Sequence, residues 1–520
     1  MNRRTFIQSA AGVGGAVFFG GAPTSGMAQT PSTLKVPADR VTAIGGRAQL
    51  FVDRHLVDDA QGIQFVVHPA RKHPLNPLVV ADQPWEGWWV RMLGGSTLYD
   101  EEEQVFKMWY TSVSRCFPKF AVHFAKSRDG VHWEKPLVGT LQCPGHLRHN
   151  AVLTNVETLS VYLDYSEPNP AHRYKMIGFD NRITSGGAAQ AFVSPDGLVW
   201  TPLSDQPGFA SSDVMTAFFD RGRKNYVAFP KVPTVVRGVR RRCFGQTTST
   251  DLVQWAETRM AFVPDERDDE GTLARLEPAR PLLRSPVDPA LMRTEIYGIS
   301  THQTESHVLA FPWIFSVSGH PPGSTKDEGV CELQLASSRD LRTWDRPYRT
   351  ALVPRGPIGA WDCAFVTGSA QAFRYGDEVR LYYSAQNYPH AHPASKTDPG
   401  PGSKLTRAIG LATWPVDRFV SADAAPEGGR IITTPVRFAG NWLELNLCCK
   451  SQGYARVQVL DASGKAIEGR GLSDPISADS LRHTVTWNRG NSDVSALQGR
   501  PVRLRFELNH TELYSFGFRT

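Results

Sequence analysis

Short runs of alternating apolar and polar residues recur along almost the whole chain, and they predict strands. The alternation is clear in Val105-Phe-Lys-Met-Trp-Tyr110, Tyr174-Lys-Met-Ile-Gly-Phe179, Tyr226-Val-Ala-Phe229 and Val379-Arg-Leu-Tyr-Tyr383. Successive strand side chains point to opposite faces, so a period of two reads as one face buried and one less so. Gly, Pro, Asn and Asp punctuate the runs, as in Tyr375-Gly-Asp377 and Glu167-Pro-Asn-Pro170. No amphipathic helical period longer than about ten residues interrupts them. The pattern predicts an all-β protein.

One phrase, Ser-x-Asp-x-x-x-Trp, occurs four times. It reads Ser127-Arg-Asp129-Gly-Val-His-Trp133, Ser194-Pro-Asp196-Gly-Leu-Val-Trp200, Ser249-Thr-Asp251-Leu-Val-Gln-Trp255 and Ser338-Arg-Asp340-Leu-Arg-Thr-Trp344. Each copy follows an alternating strand. The Asp belongs in a tight turn, accepting backbone N–H bonds, and the Trp at the start of the next strand, between neighbouring sheets. A strand-turn unit repeated at this spacing predicts a β-propeller. Five blades result: about Trp85 to Trp133, then units ending at Trp200 and Trp255, a fourth from Glu295 to Trp344 and a fifth from Asp362 to about Trp414. Residues 40–80 are expected to supply an outer strand and the closure, because Gln49-Leu-Phe-Val-Asp53 is strand-like. After about Ser421 the strands lengthen, as in Trp442-Leu-Glu-Leu-Asn-Leu447 and Val502-Arg-Leu-Arg-Phe-Glu-Leu508. They predict a C-terminal β-sandwich over 421–520, following a five-bladed β-propeller over 40–420.

The 520 residues are 41% hydrophobic and 21% charged with 13 Trp, a composition suited to packed globular domains. The net charge of +6 is spread out. The densest basic run, Arg237 to Arg242, lacks interleaved stacking aromatics, so nucleic-acid binding is not expected. At the N-terminus, Arg3-Arg-Thr-Phe-Ile7 followed by a Gly/Ala-rich apolar stretch predicts a twin-arginine signal over 1–28. The mature protein is then expected to start near Gln29, in the periplasm or outside the cell. No later segment is long and apolar enough to predict a membrane span. Seven cysteines have no framework spacing, and none joins His in a zinc pattern.

Together, five blades, the Ser-x-Asp-x-x-x-Trp connections and a C-terminal sandwich resemble glycoside hydrolases of families 32, 43, 62 and 68. The chain also resembles secreted bacterial proteins labelled family 32 N-terminal-like. The phrases that carry this are Leu50-Phe-Val-Asp53, His73-Pro-Leu-Asn-Pro77, Arg173-Tyr-Lys-Met176, Leu335-Ala-Ser-Ser-Arg-Asp340 and Ile409-Gly-Leu-Ala412, within residues 45–520. Where family 32 enzymes carry Asn-Asp-Pro-Asn-Gly, this chain reads Trp89-Val-Arg91-Met-Leu-Gly-Gly95. The family's Arg-Asp-Pro and Glu-Cys phrases are also missing, so no catalytic residue carries over by motif.

The resemblance implies carboxylates at the starts of the inner strands, where the blades converge. The turn residue Asp220 lies seven positions after Asp213, and the same step back from Asp164 gives Glu157. Glu295 opens the fourth blade, Asp362 the fifth, and Glu86 precedes the first inner strand. Glycoside hydrolysis needs one protonated and one ionised carboxylic group, and crowding carboxylates raises some pKa values. The expectation is that Asp213 or Glu295 acts as acid and Glu86 or Asp362 as base or nucleophile, on a poly- or oligosaccharide. Trp89, Arg91, His149, Asn150, His302, His320 and His390 are the candidate substrate-binding residues, and Arg91 with Arg182 favours an acidic sugar. No organic cofactor is implied and no metal site is assigned. Two alternatives stay open. In a polysaccharide lyase acting on a uronate, His302, His320 or His390 is central; a glycan-binding propeller has no turnover at all.

Overall fold

The computed structural model describes residues 41–520, apart from 114–115, 118–119, 140, 184–186 and 401. The signal expected at 1–28 and the mature start near Gln29 lie outside the described residues. Among those described, regular structure is almost all strand. The two α-helices, Glu266–Glu270 and Thr272–Leu276, are short, and no helix is long and apolar enough to cross a membrane.

Three four-stranded antiparallel sheets come first. Sheet I orders Val90–Asp100, Val105–Val113, Phe120–Ser127 and Ala151–Thr154. Sheet II orders Val156–Leu163, Tyr174–Asp180, Ala188–Ser194 and Thr201–Pro202. Sheet III orders Met215–Asp220, Asn225–Pro230, Phe244–Ser249 and Arg259–Phe262. A nine-stranded sheet follows, in two halves that meet at the single parallel pair Cys331–Phe365. Its first half, IV, orders Arg293–Gln303, Val308–Gly319 and Glu328–Leu333. Its second half, V, orders Phe365–Gly368, Glu378–Gln386, Arg407–Pro415 and Arg71–Lys72. The apolar run Val308-Leu-Ala-Phe-Pro-Trp-Ile-Phe is buried throughout, as expected for a strand covered on both faces.

The first strands of these five units bond to one another in succession. Ser96 Oγ of sheet I accepts from Val161 N of sheet II (2.8 Å), and Ser160 Oγ of II accepts from Ala217 N of III (2.9 Å). Thr216 Oγ1 of III donates to Ile299 O of IV (2.6 Å), and Thr301 N of IV donates to Ala370 O, just past the first strand of V (3.0 Å). Ala370 N then donates to Gly95 O of sheet I (2.9 Å), returning to the start. Buried Ser and Thr thus satisfy backbone groups of the next sheet, which burial otherwise makes costly.

All four Ser-x-Asp-x-x-x-Trp copies form the same turn. In each, one Asp oxygen accepts from the Ser hydroxyl and from the backbone N–H groups two and three residues on; for Asp196 the distances are 2.9, 2.8 and 3.0 Å. Asp129, Asp251 and Asp340 repeat the pattern. The residue after the Asp is left-handed in every copy, at φ +76° for Gly130 and +77° for Gly197, but also +68° for Leu252 and +58° for Leu341. Leu252 and Leu341 are buried, so apolar burial offsets the backbone cost at those two turns. The tryptophans pack on the preceding unit: Trp200 edge-on to Trp109 of sheet I (6.4 Å), Trp344 to Phe229 of III (5.8 Å) and Trp133 to Tyr382 of V (5.4 Å).

The remaining sheet has ten strands, dominated by the antiparallel pair Trp442–Asp461 and Val502–Arg519. Its strands from the chain's start correct one expectation. Gln49–Leu50 is not an outer strand of the first five units but pairs with Phe516 and Ser515. Thr42–Gly45, Val57–Gln61 and Ile63–Val67 join the same sheet. The apolar side chains of this segment decide the matter, since Ile44, Phe51 and Leu56 are buried in the core formed by Leu445, Val457, Trp487 and Phe506. The outer strand that this segment does supply is Arg71–Lys72, paired with Arg407–Pro415. Cys116 and Cys143 are disulfide-bonded, a pairing that spacing alone did not reveal.

Candidate functional site

A cavity of about 820 Å³ opens where the first strands of the five units begin. Arg91 is the second residue of Val90–Asp100, Glu157 the second of Val156–Leu163, and Asp213 lies two before Met215–Asp220. Tyr297 comes from Arg293–Gln303 and Phe365 opens Phe365–Gly368. Residues at or next to the ends of other strands complete the wall: Lys231, Arg242, Asp327, Gln386 and Arg407, with His390, His392 and Lys396 from the loop between the last long strands. Sheet I reaches the cavity through an irregular stretch between Arg91 and Ser96. Gly94 there is left-handed (φ +73°), and a Cβ on it would meet the Met215 carbonyl and Thr216 at 3.1 Å. The Gly94-Gly95 pair therefore lets sheets I and III approach.

Of the three carboxylates that line this cavity, Glu157, Asp213 and Asp327, the first two are in opposite electrostatic states. Glu157 is nearly buried and accepts from Arg91 Nη2 at 2.9 Å. Burial raises its pKa; Arg91 opposes the shift, and the Asp213 charge adds to it. The Asp213 side chain is 51% exposed, its surface opening into the cavity, and it pairs with Lys231. Burial acts to raise Asp213 as well, but Lys231, with Arg91 and Arg242 behind it, holds it below the usual carboxylate range. One group is pushed toward the protonated form and its neighbour toward the ionised form.

Around the pair the wall is fixed by bonds. Arg91 also donates through Nε to Thr111 Oγ1 (3.3 Å), and its guanidinium lies over Trp89 and Phe120 (5.0 and 4.7 Å). Arg242 bonds to Glu295 and to Asp327 (2.9 Å), and Arg293 to the same two acids (2.7 and 2.6 Å). His390 Nδ1 donates to the Asp327 carbonyl (2.6 Å), which leaves Nε2 to accept from the Tyr297 hydroxyl (3.2 Å). Burial, aided by Arg242, pushes the His390 pKa down to about 4, and burial, aided by Asp213, pushes Tyr297 up to about 12. Both are therefore neutral near pH 7.

Glu157, Asp213, Trp89, Arg91 and His390 thus meet in one cavity, whereas the other sequence candidates do not line it. Glu86 is fully buried and saturated by the Tyr110 hydroxyl (2.5 Å), Lys135 (2.8 Å) and the backbone N–H groups of Asp82 and Gln83. Asp362 is tied to Lys72 (2.6 Å) and the Tyr383 hydroxyl (3.0 Å). Glu295 sits behind Arg242 and Arg293 at 1% exposure. His149 bonds to the Leu141 carbonyl (2.7 Å), and His302 to that of Ala372 (3.2 Å). Asn150 accepts from Trp85 and donates to Tyr110, inside sheet I. His320 lies 3.9 Å from Asp327, outside the cavity lining, and Arg182 is taken by Asp180. Lys231, Arg242, Tyr297, Asp327 and Arg407 were not singled out by sequence, because nothing local marks residues that converge from different sheets. Among the described residues no group of three or more His, Cys, Asp or Glu is arranged to hold a metal ion.

No protein-family model matches the chain, and no curated protein matches it. Among solved structures it is similar to a glycosyl hydrolase from Bacteroides ovatus, at 12% identity and TM-score 0.41, over 69% of this chain and 97% of that one. It is also similar to a thermostable family-43 glycoside hydrolase, at 13% identity and TM-score 0.41, over 67% and 95%. A third likeness is to a structure titled for the GH130 family of mannoside phosphorylases and its glycoside hydrolases that target beta-1,2 mannosidic linkages in Candida mannan. There the identity is 12% and the TM-score 0.40, over 68% and 95%.

Proposed function

We propose that this protein is a glycoside hydrolase whose acid–base pair is Glu157 and Asp213. The observation that carries the reading is their opposed electrostatics in a single cavity: Glu157 raised by burial, Asp213 lowered by Lys231. In this mechanism Glu157 gives its proton to the glycosidic oxygen as the bond to the anomeric carbon breaks. Asp213, ionised, meets the positive charge developing on the sugar, either by attacking the anomeric carbon or by taking a proton from the attacking water. Phe120, half-buried in the cavity wall, offers apolar surface to a sugar ring, and Arg91 holds the Glu157 carboxyl in place.

The architecture in this reading is a five-bladed propeller with the cavity at the mouth of its channel, followed by a C-terminal β-sandwich. The succession of bonds from sheet I through V and back to Gly95 supports it. Residues 1–28 are read as a twin-arginine signal delivering the enzyme to the periplasm or the medium. Mass spectrometry of the exported protein tests this, with a start near Gln29 expected.

A specific observation also favours a second chemistry. The neutral Tyr297–His390 pair, bonded through Nε2, is suited to removing a proton alpha to a carboxyl group, as a uronate lyase does. Incubating the mature protein with a broad set of polysaccharides separates the two. New reducing ends without the ultraviolet absorbance of an unsaturated sugar support hydrolysis. New reducing ends with that absorbance overturn it in favour of the lyase. Reducing ends that do not increase on any polysaccharide, with glycans still retained, leave a binding protein.

A further inference from the structure

The cavity carries more positive charge than its carboxylates can answer. Arg91 is matched by Glu157, Lys231 by Asp213, and Arg242 by Glu295 and Asp327. Arg407, Lys326 and Lys396 also line the cavity, and among the described residues none of the three forms an ion pair. Arg407 opens the strand Arg407–Pro415, and its guanidinium lies 4.7 Å from the centre of the Trp89 ring. Burial lowers its pKa, the Arg91 charge adds to that, and the Glu157 carboxylate opposes it. Lys326 and Lys396 come from separate loops on the exposed rim, and their ammonium groups face each other closely enough that Lys396 pushes the Lys326 pKa down. Two cations held together, and a third buried against an indole, are each relieved by a bound anion.

We infer that the cavity takes an anionic sugar, its carboxylate or sulfate seated on Arg407 with Lys326 and Lys396 reaching it from the rim. The inference rests on the carbohydrate reading above and narrows it. A guanidinium presents two parallel N–H donors that match two oxygens of a carboxylate or sulfate, and Trp89 keeps its plane fixed. The ammonium groups supply charge without such geometry, so the orienting contact belongs to Arg407 and the salt-sensitive attraction to the lysines.

The test uses an array of matched glycans: uronate oligosaccharides beside their carboxyl-reduced twins, and sulfated oligosaccharides beside their desulfated twins. Wild type should retain charged members about tenfold more than their twins, the equivalent of one charge-assisted hydrogen bond. That preference should fall at high salt and vanish in Arg407→Met. Whichever pair shows it, uronate or sulfate, identifies the anion. The double variant Lys326→Ala/Lys396→Ala, altered only on the rim, should weaken charged retention severalfold and decides the matter if Arg407→Met does not fold. Equal retention of charged and neutral twins by wild type, or no charged glycan retained above its twin, overturns the inference. A neutral glycan cleaved by wild type and not by Glu157→Gln would also overturn it while upholding hydrolysis. Charged glycans retained selectively but never cleaved would uphold the anion site and overturn hydrolysis.

Discussion

Lys231 is the residue whose removal most directly tests the electrostatics of the cavity. Its ammonium pairs with Asp213 and leads the interactions that lower that carboxyl; Arg91 and Arg242 act from farther away. An opposite charge at contact is worth about 4 kcal/mol at an effective dielectric of about 20, an upper bound. The Asp213 side chain is 51% exposed, so water in the cavity screens much of this. What remains is on the order of 1 kcal/mol between the two protonation states. Lys231→Met keeps the apolar stem and deletes the charge, leaving burial to push Asp213 upward. Asp213 must be ionised to act, so the acid limb of kcat/KM moves up by about one pH unit. Lys231 also lowers Glu157, more weakly, so the basic limb should move up by less. The pH dependence of kcat/KM on a cleaved glycan reads both limbs, and carbon-13 titration of the carboxyl groups reads the same shift without substrate. An acid limb that stays in place, or moves down, would refute the assignment of Asp213.

Other consequences are equally concrete. Substituting Glu157→Gln or Asp213→Asn should lower kcat by about two to four orders of magnitude while glycan binding persists, measured by turnover beside calorimetry. Asp196→Ala removes a carboxylate that accepts from one hydroxyl and two backbone N–H groups, and should cost on the order of 1–2 kcal/mol in urea unfolding. The four turn carboxylates all have pKa values depressed by their bonds in the fold. Their stabilisation is therefore present above about pH 4 and fades as pH falls through the folded values, so acid should unfold the protein progressively below about pH 4. Asp417 runs the other way: burial, with Glu305 adding, raises it to about 6. Its contribution is intact below about pH 4 and lost as pH rises through 6, so Asp417→Asn should stabilise the protein by on the order of 1 kcal/mol at pH 8 and by nothing at pH 4. Asn tolerates the left-handed backbone there (φ +63°), which keeps the comparison clean. Finally, Gly298→Ala places a Cβ into the Trp313 ring, and a melting temperature lowered by several degrees is expected.

What the sequence makes legible follows from the distance over which each interaction acts. The Ser-x-Asp-x-x-x-Trp turns are fully readable because every bond to the Asp lies within three residues. The strands are readable for the same reason, since alternation is local. Glu157 and Asp213 are found by counting back seven from the turn residues Asp164 and Asp220, a register that adjacent sheets share. Glu86 and Asp362 are chosen without that count, one for preceding the first inner strand and the other for opening the fifth blade, and neither lines the cavity. Their partners stand far away in sequence: Lys135 is 49 residues from Glu86 and Lys72 is 290 from Asp362. Cations at such separations leave no local mark, and they decide whether a carboxylate is spent on structure or left facing a cavity. The N-terminal strand illustrates the same limit. Gln49-Leu50 reads correctly as strand, although Phe51-Val52 turns away, and its partner at Ser515 and Phe516 is invisible until the chain folds back.

The measurement that tests the central claim most directly is the leaving-group dependence of Glu157→Gln. Turnover of the natural glycan is compared with that of the dinitrophenyl glycoside of the same sugar, whose leaving group needs no proton. If Glu157 is the general acid, the variant loses most activity on the glycan and keeps much of it on the activated glycoside, while Asp213→Asn loses both. Equal loss on the two substrates in Glu157→Gln would contradict the account.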